Sequence, residues 1–129
     1  MPLGVTQIFI NAIGFPLFMN NKEKSLWEIL VPVQSNDGLE FSLQHHRAWD
    51  DKVRKISSGL TILKTAKGQW VTPDDKLFFD KMIPVRIYCD ENEIDEIIKL
   101  TLSHYDQKAV MAYQVSSYVK LVYRDEIDK

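Results

Sequence analysis

The sequence predicts an α+β domain in which two helices lie on one face of an antiparallel sheet. Three observations carry that expectation. Residues 90–105 repeat apolar side chains at helical spacing, residues 42–57 do the same, and the segments around them alternate with the period of a strand.

Taken in order, residues 20–24 are a polar break that leads into the domain. Residues 26–33, LWEILVPV, are short, apolar and partly alternating, which predicts the first strand; Pro32 removes a ladder donor and marks an end or an edge. Ser35, Asn36, Asp37 and Gly38 form a turn cluster, because Asp-Gly and Asn supply positions with φ > 0. The first helix starts at residue 39 or 42 and runs to 57. Phe41, His45, Trp49, Val53 and Ile56 make its stripe, Lys52, Arg54 and Lys55 suit its C-terminal dipole, and Gly59 is placed to close it. Residues 60–65 predict a second strand, which bends at Lys67-Gly68 and extends its pairing through Gln69, Trp70 and Val71. After a turn at residues 73–76, residues 77–81 and 85–89 predict a third strand, broken or bulged near Pro84. Its second half alternates: Val85, Ile87 and Cys89 against Arg86 and Tyr88.

The clearest helix follows. Ile94, Ile97, Ile98, Thr101, Leu102 and Tyr105 form one stripe; Asp90 with Glu93 reads as a capping box, and five acids load the positive end of the macrodipole. Residues 109–115 predict a fourth strand, and residues 118–124, YVKLVYR, its continuation or a fifth; the tail, DEIDK, reads as frayed. The order βα-ββα-β is that of the ferredoxin-like split-βαβ plan, in which right-handed crossovers bring both helices to one face. The reverse face, expected to carry Trp27, Ile29, Leu63 or their neighbours, then needs the N-terminal segment or another subunit to cover it.

Composition narrows the class. A chain of 129 residues with 45% apolar and 26% charged residues is one globular domain rather than a disordered segment. A net charge of −2, with signs interspersed, argues against nucleic acid as a partner. The single cysteine, Cys89, excludes an internal disulfide and fits a reducing compartment, so a cytoplasmic location is expected. Residues 1–19 are apolar but carry Thr6, Gln7, Asn11, two glycines and two prolines, which no membrane span would keep, and lack the basic start of a signal peptide. The chain is therefore read as an N-terminal extension and linker, residues 1–24, and a domain, residues 25–129. The extension is expected to pack on the domain or on a neighbouring subunit through Ile8, Phe9, Ile10, Ile13, Phe15, Leu17 and Phe18.

Candidate chemistry is sparse. His45 and His46 are adjacent, about 100° apart on a helix, so they do not make a metal pair; His104 closes the second helix, where an imidazolium would suit the dipole. Cys89 precedes a helix N-terminus, yet alternation turns it inward beside a crowd of carboxylates, as a structural thiol. Asp50-Asp51 and Asp74-Asp75 read as solvated. No phosphate loop, dinucleotide fingerprint, nucleophile elbow or zincin helix is present, and no cofactor is expected. Trp70 is a core candidate that could instead line a cleft at the end of the sheet with Gln69, Arg86 and Lys64, the expected ligand-binding set.

Two resemblances follow from these stretches. From Gly59-Leu60-Thr61 through Ile83-Pro84-Val85-Arg86-Ile87, NEIDEIIKLTL and AVMAYQVSSYVKLVYR, the chain resembles the nitrogen-regulatory PII and CutA-like families. That resemblance implies a βαββαβ core, trimers, and small ligands, typically adenine nucleotides, held in clefts between subunits. The long loop between strands two and three shrinks here to VTPDDKL, and the glycine-rich phosphate loop after the second helix is replaced by SHYDQK, so no family ligand residue carries over. The pattern Gly59, Leu60, Thr61 with Gly68, Gln69, Trp70 also resembles a bacterial family of unknown function. The expected function is a non-catalytic, homo-oligomeric (dimeric or trimeric) small-molecule-binding or regulatory domain with clefts at subunit interfaces. The competing readings are a protein-interaction module and a cofactor-free enzyme using His45, His104 or a tyrosine as acid or base.

Overall fold

The computed structural model describes residues 23–127, so the apolar extension read at residues 1–24 lies almost wholly outside the described residues. The elements are β1 (Ser25–Pro32), α1 (Leu43–Ser57), β2 (Thr61–Ile62), β3 (Ala66–Val71), β4 (Leu77–Cys89), α2 (Glu91–His104), β5 (Ala112–Ser116) and α3 (Arg124–Ile127). The sheet runs β2-β4-β1-β5, with β3 also on β4, and every pairing is antiparallel. Each crossover, β1-α1-β2 and β4-α2-β5, skips one intervening strand. This is the ferredoxin-like arrangement that the element order predicts.

Register decides which side chains meet the helices. Ser25, Trp27, Ile29 and Val31 of β1 stand opposite Cys89, Ile87, Val85 and Ile83 of β4. Of these, Ile29, Val31, Val85, Ile87 and Cys89 join Trp49 and Val53 of α1 and Ile94 and Ile97 of α2 in one buried cluster, capped by Tyr105. Both helices therefore lie on one side of the sheet. The alternation left the register open between Trp27 and Ile29 and their neighbours for the reverse face; Trp27 and Ile29 belong to the helix side, so the neighbours take it. Leu63, opposite Pro84, does lie with the reverse face, whose β1 members are Leu26, Glu28, Leu30 and Pro32.

Helix ends follow local chemistry. Asp90 and Glu93 form the expected capping box at the start of α2, with Glu93 N donating to Asp90 (2.8 Å) and Asp90 N donating to Glu93 (2.9 Å). Ser42 caps α1 by accepting from His45 N at 3.1 Å, which excludes a start at residue 39. The left-handed residue closing α1 is Ser58 (φ 76), not Gly59.

The strands depart from expectation in three places. β4 is continuous through Pro84, and the irregularity falls on its partner: residues 63–65, between β2 and β3, stand opposite only Ile83 and Pro84. Leu63 N donates to Pro84 O at 2.9 Å, but proline has no N–H to return, so the ladder stops and resumes one residue out of step. The last strand is Ala112–Ser116, three residues later at its start than the periodicity suggested. Finally, residues 118–123 form no strand, and residues 124–127 are a short helix rather than a frayed tail. The alternation there is real, but none of the described strands pairs with it.

Candidate functional site

Neither α1 nor α2 lies over the reverse face of the sheet. Along it run Leu26, Glu28, Leu30 and Pro32 of β1 and, opposite them, Tyr88, Arg86, Pro84 and Met82 of β4. Beyond Met82, β4 pairs among the described residues only with β3, so residues 66–81 extend from the rest of the sheet as a ribbon. Its turn rests on Thr72 and on Asp75 (φ 65).

Where ribbon and sheet meet, a cavity of about 540 Å³ opens. It is lined by Leu30, Pro32, Trp70, Asp80, Met82, Gln107, Ala109, Val110, Met111 and Ala112. Gly68 shapes it. A Cβ there would stand 2.7 Å from Met82 Cε and 2.9 Å from Trp70 Nε1, so the absent side chain is what lets the indole lie against the strand beside the methionine. The wall is mostly apolar, with Asp80 and Gln107 as its polar side chains and an aromatic ring on one side, a lining suited to a small, partly aromatic ligand.

Farther along the same face sits an ionic cluster. Glu28, buried in mid-sheet, accepts from Arg86 Nε at 2.9 Å and from the Tyr113 hydroxyl. Burial pushes its carboxyl up, but the Tyr113 and Arg86 hydrogen bonds outweigh that and hold it below the usual carboxylate range. The bond to Glu28 in turn raises the Tyr113 hydroxyl.

The histidines gather at the other side of the molecule, where the start of α1 meets the end of α2. His45 Nε2 lies 2.7 Å from His104 O and His104 Nε2 lies 2.7 Å from His45 O. A carbonyl only accepts, so both Nε2 atoms carry protons and donate. His46 Nδ1 is 2.7 Å from the Tyr105 hydroxyl. Burial holds His104 and His46 below the ordinary imidazole range, so His104 is a neutral clasp rather than the dipole-matching cation expected from its position. Cys89 is buried and its thiol is pushed up to about 12, by burial first and then by Glu93 and Asp90.

Of the four expected ligand residues, Trp70 lines the cavity. Arg86 shares its face but is engaged by Glu28, Gln69 pairs with Phe79 on the opposite side of the ribbon, and Lys64 lies exposed in the bulge. Glu28 went unnoticed in the sequence, although a lone acid inside the apolar run LWEILVPV was a readable signal. Met82, Asp80 and Gln107 carried none, since the ribbon's register and the loop after α2 bring them together only in the fold. Among the described residues no group of three or more His, Cys, Asp or Glu could hold a metal, and no helix is long and apolar enough to cross a membrane.

No family model matches the chain, and no curated sequence does. Solved structures do. A phage SAM lyase in complex with S-methyl-5'-thioadenosine superposes with a TM-score of 0.57 at 11% identity, over 75% of this chain and 84% of its own. The periplasmic divalent cation tolerance protein CutA of Archaeoglobus fulgidus gives 0.55 at 9% identity, over 81% and 92%. The divalent cation tolerance protein of Thermus thermophilus gives 0.57 at 8%, again over 81% and 92%. The resemblance to CutA-like proteins read from the sequence is thus present in the fold, and at these identities it is a likeness of fold alone.

Proposed function

We propose that this chain is a non-catalytic domain that binds a small molecule and works as a homo-oligomer, with Trp70 as the principal contact to the ligand. The observation that carries the reading is the cavity on the reverse face, where an indole, two methionines and a few polar groups converge at the edge of the sheet. A neighbour of the same fold was solved with S-methyl-5'-thioadenosine, a purine thioether, and such a ligand would find both a ring to stack on and sulfur-tolerant methionines here. Association of copies would close the cavity from outside and cover the bare face. Arg86 and Lys64 would then meet an anionic part of the ligand, and Gln69 the neighbouring copy. The single cysteine favours a cytoplasmic site of action.

Thermal denaturation with a panel of nucleotides, nucleosides and thioethers, S-methyl-5'-thioadenosine among them, tests this. A ligand at about 100 times its Kd adds about 2.7 kcal/mol and a Tm shift of several degrees. That shift is expected to disappear in Trp70→Ala. Uniformly absent shifts across the panel would overturn the reading.

A further inference from the structure

We propose that the cavity beside Trp70 selects its ligand by a positively charged, methylated ammonium group, held between the Trp70 indole and the Asp80 carboxylate. This names the ligand class for the small-molecule reading above and rests on it. The register of the ribbon sets the arrangement. Gly68 stands opposite Asp80, Trp70 opposite Phe78 and Ala66 opposite Met82, so Gly68, Trp70, Asp80 and Met82 share one side of the ribbon. A Cβ on Gly68 would meet the indole at Nε1 (2.9 Å) and Cε2 (3.2 Å), so the ring leans back over the glycine. The residue across the ladder from that glycine is Asp80, and positions so paired have Cβ atoms about 5 Å apart. The carboxylate is thus brought beside the ring, and both line the cavity.

The wall has one sign. Among the described residues that line it, Asp80 is the one that ionises. Around it stand the indole, the sulfurs of Met82 and Met111, and Gln107. Gln107 is steadied by a bond from its Nε2 to Tyr105 O (3.0 Å), and its amide oxygen is a further acceptor. A ring face, a thioether and an amide oxygen all offer negative charge density to a ligand. The nearest cations by sequence stay outside the wall. Lys67 and Lys81 stand opposite each other on the other side of the ribbon, one residue out of phase with Asp80. Arg86 lies farther along β4, about 20 Å from Asp80 and more than two Debye lengths at physiological salt, and it is bonded to Glu28. Lys108 adjoins Gln107 in the chain and is not a lining residue.

Methylation follows from the apolar remainder of the lining. A primary ammonium brings three N–H donors, and one carboxylate and one amide among Leu30, Val110 and two methionines serve them poorly. A quaternary head has no donor to satisfy and is attracted to the face of an indole.

Titration of the isotope-labelled full chain with three probes tests this: choline, its neutral isostere in which a tert-butyl group replaces trimethylammonium, and ethanolamine. The readout is the indole N–H signal of Trp70, one of three tryptophans, assigned by its loss in Trp70→Phe. Choline is expected to bind about fivefold tighter than the neutral alcohol, and tighter than ethanolamine. Asp80→Asn should erase the preference for choline over the alcohol while the Trp27 and Trp49 signals stay in place. Equal or tighter binding of the alcohol or of ethanolamine, an unchanged preference in Asp80→Asn, or a Trp70 signal that no probe moves overturns the cation assignment. If Asp80→Asn does not fold, the wild-type comparison of the three probes decides alone. The small-molecule reading stands or falls separately, on the thermal panel.

Discussion

Glu28 shows how one side chain can set the character of a whole surface. Its carboxylate sits in mid-sheet on the face away from α1 and α2, satisfied by Arg86 and Tyr113. Glu28→Gln keeps the shape and removes the charge, leaving a guanidinium with a neutral partner, so a loss of about 1.5–3 kcal/mol is expected in urea denaturation at neutral pH. Because the folded carboxyl lies below its ordinary value, that stabilisation is full above the unfolded pKa of about 4.3 and fades as pH falls through the folded one; the gap between wild type and variant should close in acid. The histidines act in the same direction, at higher pH. His46 and His104 are held low in the folded chain, so the unfolded chain takes up protons first as pH drops below about 6.5. Thermal stability is expected to fall from about pH 7.5 to 5, and His104→Gln should flatten that slope.

At the scale of elements, the ends and stripes of the helices decide stability. Asp90→Ala removes a complete capping box and is expected to cost about 1 kcal/mol in chemical denaturation. Trp49 Nε1 donates to Thr101 Oγ1 at 3.0 Å in the seam between α1 and α2, so Thr101→Val strands a buried donor, at about 1–3 kcal/mol. Gly68→Val should displace Trp70 and Met82 and abolish ligand-induced shifts, while the far-UV spectrum of the sheet and helices persists. The α2 stripe and its box were legible because both are local, written within four residues of each other. The sheet was legible only as alternation. Whether Ile29 or Leu30 faces the helices depends on pairing with β4, and Pro84 acts on β2 and β3 across the ladder rather than on its own strand; neither is a local property. Trp70 could be singled out as a cleft candidate, but Met82, Asp80 and Gln107 come to it through the fold. The expected strand at residues 118–124 failed for a related reason: periodicity reports what a segment can pair with and says nothing of whether its own chain supplies the partner.

For the molecule as a whole, apolar surface is unevenly placed. The helix side is a closed core, whereas the ribbon and the segment after β5 carry Trp70, Val71, Leu77, Phe78, Phe79, Tyr118, Leu121, Val122 and Tyr123 exposed. Association through such surface depends little on ionic strength, so the sedimenting mass should hold between about 0.05 and 0.5 M salt, where charge-driven contacts would weaken. The proline at position 84 adds one more consequence. At the root of the ribbon it deprives the sheet of a rung, and the strand facing it carries slack in the form of one surplus residue. The projecting arm is thus joined to the body by β4 alone at this level, since β4 runs on unbroken while the ladder on its other side skips a rung.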